Sequence, residues 1–237
     1  MNIALIGYGK MGKTIEEIAL TRGHKIVCIV NIDNQDDIYS DEFKSADIAI
    51  EFTMPQSAVS NYLKVLDLGI PVVSGTTGWL DKIDEVKKVV DEKNGAFFYT
   101  SNFSIGVNIF FALNKHLAKI MNEFSQYDVS MKEIHHIHKL DHPSGTALTL
   151  AEGIIENIDR KTSWAEDTKD ADKLNIEHER IGEVPGTHTV TYTSDVDCIK
   201  IEHEAFSRKG FALGVVLAAE WMLGRKGWYS MNDMLNF

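Results

Sequence analysis

The chain has 237 residues, of which 44% are hydrophobic and 25% are charged. This length and composition are typical of a globular protein with one large domain or two smaller ones. The 24 Lys and Arg residues are outnumbered by 35 Asp and Glu residues, which gives a formal net charge of -11 at pH 7. A surface of that sign repels a phosphate backbone, so the composition argues against nucleic acid as a partner.

The cysteines and the apolar segments bear on the cellular compartment of the protein. Cys28 and Cys198 lie in separate apolar runs far apart in the sequence, which is typical neither of a disulfide framework nor of a metal-ligand pair. No basic segment precedes the N-terminal apolar stretch, and the most apolar later segment, 212–223, is too short for a membrane and contains Glu220. We therefore predict a cytoplasmic protein that is neither exported nor inserted into a membrane.

The hydrophobic pattern predicts two domains. Short β-branched runs alternate with helical patterns over the first hundred residues, which predicts a Rossmann-like, doubly wound parallel sheet. The predicted strands are 2–6, 25–32, 47–52, 71–74 and 96–100, and the predicted helices are 10–22, 57–68 and 80–92. A long amphipathic helix over 105–124 then leads into a smaller α+β domain with a mixed sheet.

Later segments complete this second domain and return to the first. Strands are predicted at 128–136, 188–193 and 198–204, and the charged segment 159–172 is predicted to be a solvated excursion. A helix at 210–223 is expected to pack back on the first domain. The predicted organisation is a discontinuous first domain, 1–104 with 208–237, and a second domain, 105–207.

A glycine-rich turn follows the first predicted strand directly and opens the first predicted helix. It reads Gly7-Tyr8-Gly9-Lys10-Met11-Gly12. In a G-x-G-x-x-G turn the glycines permit the tight turn, the approach of a pyrophosphate and close packing of helix on strand. Asp33, at the end of the second predicted strand, is in the position of an acid that binds the adenosine ribose. The context predicts dinucleotide binding and not an incidental turn.

A histidine-rich stretch ends the strand predicted at 128–136. It reads His135-His136-Ile137-His138-Lys139 and is followed by Pro143-Ser144-Gly145-Thr146 and a run of good helix formers. Ser144, Gly145 and Thr146 are expected to present N–H groups and hydroxyls at a helix N-terminus, where a carboxylate or phosphate binds. Lys139 adds positive charge, so the stretch predicts an anionic substrate.

Other interpretations of this stretch remain open. Zinc is disfavoured because no cysteine or paired carboxylate lies at ligand spacing, and we predict no metal. The histidines could be ordinary surface residues, and Ser144 with Thr146 could be a plain helix cap. Because alternate strand residues face opposite ways, His135 and His136 share a site only where the strand has ended.

Together the motifs resemble those of the dihydrodipicolinate reductase family over nearly the whole chain. Besides the glycine turn, the histidine stretch and Pro143-Ser144-Gly145-Thr146-Ala147, the matching segments are Glu51-Phe52-Thr53, Gly75-Thr76-Thr77-Gly78, Asn102-Phe103-Ser104-Ile105-Gly106-Val107-Asn108, Gly186-Thr187-His188-Thr189-Val190 and Ser207-Arg208. The chain departs from the commoner pattern at Ile137, where many members carry Arg, at His142, where a small residue is usual, and in a short segment over 159–180.

The resemblance implies an activity and a set of site residues. The activity is the reduction, by NADH or NADPH, of the product of dihydrodipicolinate synthase to tetrahydrodipicolinate in lysine and diaminopimelate biosynthesis. His135 is implied as catalytic acid or charge stabiliser and Lys139 as its partner, and the reverse roles stay open. Substrate carboxylates are assigned to His136, Lys139, Ser144, Gly145 and Thr146. The dinucleotide is assigned to Gly7, Tyr8, Gly9, Lys10, Met11, Gly12, Phe52, Thr53, Gly75, Thr76, Thr77, Ser101, Asn102 and Phe103. The resemblance also implies that 1–104 with 208–237 is the dinucleotide-binding domain and that 105–207 is the substrate-binding and oligomerisation domain, since family members are usually homotetramers built through the sheets of the second domain.

The loop after the second predicted strand bears on the choice between NADH and NADPH. The segment 31–37 contains no Lys or Arg to meet a 2′-phosphate, whereas Asp33 suits the 2′-hydroxyl of NADH, so we expect a bias toward NADH. Lys10 keeps use of NADPH open. The alternatives are a dinucleotide-sensing protein without catalysis and a dehydrogenase of another small acid.

Overall fold

The computed structural model describes residues 1–237 as two compact units. Unit 1 comprises Met1–Ile105 and Lys209–Phe237, and unit 2 comprises Gly106–Arg208. The C-terminal segment contributes two helices and a strand to unit 1, so this unit is discontinuous in sequence. None of the helices is both long and apolar enough to cross a membrane.

Unit 1 is built on a six-stranded parallel sheet. Its strands are β1 (Asn2–Ile6), β2 (Lys25–Val30), β3 (Ile48–Glu51), β4 (Val72–Ser74), β5 (Ala96–Tyr99) and β11 (Gly227–Tyr229), in the spatial order β11-β5-β4-β3-β1-β2. The chain moves from β1 to one side and then returns to the other side at β3. The carboxyl ends of β1 and β3 therefore form the switch point at which ligands of such sheets bind.

Helices cover both faces of this sheet, which explains why its strands are almost uniformly apolar. They are α1 (Lys10–Thr21), α2 (Asp41–Lys44), α3 (Pro55–Asp67), α4 (Ile83–Glu92), α7 (Lys209–Met222) and α8 (Met231–Leu235). One buried cluster joins the sheet to α1, α7 and α8, and the other joins it to α3 and α4. The second strand ends at Val30 instead of the predicted 32, because residues Ile32–Tyr39 turn into a 3-10 helix.

Unit 2 combines two helices with a five-stranded mixed sheet. The helices are α5 (Ile105–Asn122) and α6 (Gly145–Ile155), and the strands are β6 (Asp128–His135), β7 (Ser163–Glu166), β8 (Lys173–Arg180), β9 (Thr187–Thr193) and β10 (Cys198–Glu204). The spatial order is β10-β9-β6-β8-β7, with β6, β7 and β8 parallel to one another and β9 antiparallel to both of its neighbours. A parallel sheet plus a second, mixed sheet confirms the predicted fold class.

Most of segment 159–172 is exposed, as predicted, but it is not a simple excursion. This segment contains β7, and Lys161 within it is only 3% exposed. The Lys161 ammonium donates to the carbonyls of Ala171 (2.9 Å) and Lys173 (3.0 Å) and pairs with Asp128 (2.8 Å). The neighbouring β8 was not predicted either, because only Leu174 and Ile176 of its residues are apolar and enter the core.

Candidate active site

The glycine turn leaves β1 and enters α1 in unit 1. Gly7 has φ +92°, and a Cβ there would lie 2.0 Å from the carbonyl oxygen of Phe52. A Cβ on Gly12 would lie 2.3 Å from the carbonyl oxygen of Gly7, whereas a Cβ on Gly9 would meet no atom within 4 Å. Close packing within the chain therefore requires glycine at 7 and 12, and the space in front of Gly9 stays open.

That open space belongs to a cleft of about 290 Å³ at the carboxyl ends of β1, β2 and β3. Gly9 is the N-cap of α1 and offers no side chain to the first N–H groups of the helix, which leaves them available to an anion. The lining residues are Ile6, Gly7, Tyr8, Gly9, Val30, Asn31, Ile32, Gln35, Phe52, Thr53, Met54, Ser57 and Asn61. The lining therefore includes the start of a helix, a feature that suits an anionic group.

The structure brings five of the predicted dinucleotide residues together in the cleft lining: Gly7, Tyr8, Gly9, Phe52 and Thr53. Lys10, Met11 and Gly12 form the first turn of α1, Gly75, Thr76 and Thr77 follow β4, and Ser101, Asn102 and Phe103 follow β5. Asp33 is exposed on the 3-10 turn after β2 and is not a lining residue, while Asn31 and Gln35 are. Sequence reasoning missed Asn31, Gln35, Ser57 and Asn61, because polar residues in loops and on helix faces carry no pattern of their own.

Behind the cleft, a buried carboxylate fixes the ends of two strands. Glu51 is the last residue of β3, is fully buried, and accepts from the hydroxyls of Ser74 (2.9 Å) and Thr53. Tyr62 on α3 shares a hydrogen bond of 2.7 Å with Ser74. Burial raises the pKa of Glu51 although these hydroxyl bonds lower it in part. The sequence alone predicts no role for Glu51 beyond its place in the motif Glu51-Phe52-Thr53.

In unit 2, β6 ends at the predicted catalytic histidine. His135 is 7% exposed, and its ring packs edge-on against His188 of β9 with a centroid distance of 5.0 Å. Its Nδ1 lies 3.6 Å from Glu133 Oε2, beyond hydrogen-bonding distance. Gly186 makes room for the ring, because a Cβ there would lie 3.1 Å from His135 Nε2.

The fully buried Glu133 is the centre of this histidine cluster. Its carboxylate accepts from the Ser144 N–H (3.0 Å) and from the Arg180 guanidinium (3.2 Å), and His188 Nε2 lies 3.8 Å away. Burial alone would raise the pKa of Glu133, but the hydrogen bonds that it accepts from Ser144 and from the Arg180 guanidinium hold it below its ordinary value. The group is therefore a buried anion at neutral pH.

The two histidines around Glu133 are held neutral. Burial, reinforced by the neighbouring His135, lowers the pKa of His188 to about 3. Burial also lowers the pKa of His135, and the charges of Lys139 and Arg180 act in the same direction against the attraction of Glu133. Burial therefore favours the neutral form of both imidazoles.

Arg180 positions the loop that carries Lys139. Besides binding Glu133, its guanidinium donates to the backbone carbonyls of Lys139 (3.2 Å) and Asp141 (2.7 Å). The Lys139 ammonium donates to both carboxylate oxygens of Asp141, at 2.8 and 2.7 Å. Asp141 thus holds the lysine charge beside the end of β6. Sequence reasoning missed Arg180 as well as Glu133 and His188 as site residues.

The predicted anion-binding turn does form the N-terminus of α6. Ser144 is its N-cap and accepts from the Ala147 N–H at 3.2 Å, and its hydroxyl lies 3.1 Å from His188 Nε2. Gly145 and Thr146 occupy the first turn, where helix N–H groups have no partner within the helix. His136 is half-buried just beyond β6. The turn therefore combines free donors with the positive end of a helix dipole.

A doubly wound unit with an open cleft at a glycine turn, together with a unit that carries a buried acid–base cluster, defines a two-unit protein of the dinucleotide-dependent oxidoreductase type. Comparison with known proteins agrees. Family models described as dihydrodipicolinate reductase, N-terminus, and dihydrodipicolinate reductase, C-terminus, match residues 1–103 and 106–235. The chain belongs to the dihydrodipicolinate reductase family.

Individual relatives are similar over most of their length. The chain is 48% identical over 238 residues to 4-hydroxy-tetrahydrodipicolinate reductase of Christiangramia forsetii. This alignment covers 100% of the present chain and 98% of the relative. It is 35% identical to the protein of that name from Methanoculleus marisnigri, over 81% of this chain and 77% of the relative. The fold resembles dipicolinate-bound dihydrodipicolinate reductase from Paenisporosarcina sp. TG-14, with TM-score 0.79, 19% identity and 99% coverage of both chains.

Proposed function

We propose that the protein reduces 4-hydroxy-tetrahydrodipicolinate to tetrahydrodipicolinate with NADH or NADPH, in lysine and diaminopimelate biosynthesis. The observation that carries this function is the match of both family models to consecutive halves of the chain. A 4-hydroxy-tetrahydrodipicolinate reductase that is 48% identical over 98% of its own length agrees with it. The product is a cyclic dicarboxylate with one hydride and one proton more than the dehydrated substrate.

The two units divide the work. Unit 1 is the dinucleotide-binding domain, with the pyrophosphate at the N-terminus of α1 and the space in front of Gly9 left for it. A dihydronicotinamide cofactor bound there supplies the hydride. Unit 2 binds the substrate and contributes the acid–base groups. Support comes from the open cleft, the uncapped helix and the glycines whose Cβ positions face the backbone of the chain itself.

The substrate carboxylates bind at the N-terminus of α6 and the adjoining residues His136 and Lys139. Ser144, Gly145 and Thr146 supply donors there, and charge-assisted hydrogen bonds to a carboxylate are roughly twice as strong as neutral ones. The buried Ser144 N–H already binds Glu133. Gly145 N–H, Thr146 N–H and the Thr146 hydroxyl are therefore the donors that face a substrate.

His135 and Lys139 stabilise and protonate the reacting ring. Hydride addition at a carbon conjugated to a C=N bond drives negative charge toward the far end of that system, where a proton is then added. His135 is neutral before the substrate binds, and the arrival of a dicarboxylate raises its pKa by opposite charge. The Lys139 ammonium is paired with Asp141 at 2.7 Å. The proton thus comes from His135 or, with the roles reversed, from Lys139.

The decisive experiment follows NADH oxidation by absorbance when freshly generated product of dihydrodipicolinate synthase is added. Turnover that requires both the synthase product and this protein supports the proposal. Tight NADH binding without turnover would instead favour a dinucleotide-sensing protein, and oxidation with other small acids but not with the synthase product would favour a different dehydrogenase.

NADH is the preferred cofactor in this proposal. Segment 31–37 offers carboxylates and amides but no cation to a 2′-phosphate, and Asn31 and Gln35 line the cleft there. The ratio of kcat/KM for NADH to that for NADPH measures the preference. A value about tenfold in favour of NADPH, equivalent to about 1.4 kcal/mol, would contradict this assignment.

Assembly and location follow the family. We infer a homotetramer formed through the sheet of unit 2, where the edge strand β10 leaves Ile199 39% exposed, and a cytoplasmic location. Light scattering coupled to size-exclusion chromatography measures the mass of the assembly. A monomeric mass at micromolar concentration would contradict the tetramer.

A further inference from the structure

A second cluster of metal-ligating side chains lies in unit 2, apart from the residues assigned to the reaction. It consists of His142 in the loop before α6, Glu166 at the end of β7 and His178 on β8. Their ligand atoms all lie within 4.8 Å of one another. His142 Nδ1 is 2.9 Å and His178 Nδ1 is 3.1 Å from the same oxygen, Glu166 Oε2. We propose that these three residues form a binding site for a divalent transition metal of the Zn²⁺ class.

The ligand set fits such an ion. Two histidines and one glutamate make a three-residue Zn²⁺ site, with the fourth position left to water. Metal–ligand distances of about 2.0–2.2 Å place tetrahedral ligand atoms roughly 3.4 Å apart. The observed contacts of 2.9 and 3.1 Å need only a small expansion, and the side chains of His142 and His178, 48% and 26% exposed, have room for it.

The charge balance at Glu166 also calls for a cation. Both ion pairs of its carboxylate are with histidine, and the two rings stack at 4.2 Å between centroids. Two positive charges on rings stacked this closely would repel each other, whereas a single divalent ion supplies the positive charge that the Glu166 carboxylate attracts. A metal ion between the two ring nitrogens and the carboxylate would bind all three groups at once.

The other buried histidine cluster is a poorer metal site. Glu133 already binds the Arg180 guanidinium at 3.2 Å and the Ser144 N–H at 3.0 Å. A dication near Glu133 would face that guanidinium at close range, where charge repulsion is strong. The Zn²⁺-class ion is therefore assigned to the His142 cluster.

The site would tether the loop that leads to the anion-binding turn. His142 directly precedes Pro143 and Ser144, and the carbonyl of Asp141 on its other side is bound by Arg180. A metal ion would join this loop to the ends of β7 and β8. This link would be stronger than the contacts that His142 and His178 make with Glu166 alone. This inference does not depend on the proposed reaction.

The test measures metal binding directly, on the full-length protein stripped with EDTA and without any dicarboxylate, which would itself chelate. Zn²⁺ affinity is measured by competition with a chromophoric chelator, and Co²⁺ is used as a spectroscopic probe of the coordination number. We expect one Zn²⁺ per chain and visible Co²⁺ absorption of a four- or five-coordinate site. His142→Ala, His178→Ala and Glu166→Gln should each weaken Zn²⁺ binding by roughly tenfold or more.

The matched control is His116→Ala, which removes an exposed histidine of α5 and should leave Zn²⁺ affinity unchanged. Equal loss in this control would mean adventitious binding to surface histidines and would overturn the proposal. The proposal would also be overturned if the wild type bound Zn²⁺ no more tightly than the variant in which all three ligands are replaced. Loss of the metal in Glu133→Gln with retention in His178→Ala would assign it to the other cluster and overturn the proposal as well.

Discussion

The candidate site of unit 1 is made mainly of backbone groups, whereas that of unit 2 is made of side chains. In unit 1 the cleft depends on backbone, because the turn at Gly7 and Gly12 leaves no space for a side chain and the ligand-facing donors are helix N–H groups. In unit 2 the site depends on side chains that meet from three strands, namely Glu133 of β6, Arg180 of β8 and His188 of β9. A site made of backbone groups does not depend on the identity of neighbouring side chains. In a buried charged network, by contrast, removing one partner leaves a buried charge without compensation and strongly destabilises the fold.

The largest expected effect concerns the reacting groups of unit 2. His135→Ala and Lys139→Ala should each lower kcat by roughly a hundredfold or more, the usual scale for losing a general acid or a preorganised charge. NADH affinity should barely change, since the dinucleotide is assigned to unit 1. Steady-state kinetics and NADH titration measure both quantities, with thermal melts to check folding.

A matched control is available in the same motif. His138 is exposed and pairs only with Glu183 at 3.1 Å, so His138→Ala should keep kcat near that of the wild type. If both His135→Ala and Lys139→Ala also kept a near-normal kcat, the cluster would be structural and the acid would have to lie elsewhere.

The next effect separates packing from binding at the glycine turn of unit 1. Gly12→Ala brings a Cβ within 2.3 Å of the Gly7 carbonyl oxygen and should destabilise the protein by about 1–3 kcal/mol, the usual cost of overpacking. Gly9→Ala meets no atom within 4 Å and should leave Tm unchanged, yet weaken NADH binding by roughly tenfold, because the new methyl occupies the pyrophosphate position. Calorimetry and NADH titration of both variants measure the difference. If Gly9→Ala and the wild type bound NADH with equal affinity, the assignment of the pyrophosphate to this turn would be wrong.

The same contrast explains what the sequence could predict. The parallel sheet and the glycine turn follow from local patterns, since alternating β and α periodicity and three spaced glycines are legible within a short window. Arg180 and His188 could not be assigned roles from the sequence, because their meaning arises only when β8 and β9 flank β6. Glu133 lies two residues before His135 in the sequence, but no local sequence pattern shows that its carboxylate is buried and hydrogen-bonded.

A smaller effect concerns the substrate carboxylate at α6. Thr146→Val keeps the shape of the side chain but removes its hydroxyl, so KM for the dicarboxylate should rise by roughly tenfold, the scale of a hydrogen bond to a charged group. The dissociation constant for NADH should stay the same. An unaltered KM would refute the assignment of Thr146, whereas a parallel loss of NADH affinity would indicate a general disturbance of the fold. Thr149→Val, one turn further along α6 with its hydroxyl bonded to the Gly145 carbonyl at 3.1 Å, is the matched control and should keep KM.

The smallest effect is the dependence of stability on pH that the buried His188 imposes. Burial lowers its pKa in the folded protein to about 3, whereas an unfolded histidine titrates near 6.5. The contribution of neutral His188 to stability is therefore fully present above about pH 6.5 and is lost as the pH falls toward the folded value, at up to about 1.4 kcal/mol per pH unit. His188→Gln keeps a hydrogen-bonding side chain near Ser144 but does not titrate. Between pH 7 and pH 5 the wild type should therefore lose about 1–2 kcal/mol more free energy of unfolding than this variant. Urea denaturation at both pH values, followed by circular dichroism, measures the difference. Equal losses in the two proteins would mean that His188 is protonated as readily in the folded chain as in the unfolded one, and the buried network around Glu133 would then have to be more open to water than its geometry implies.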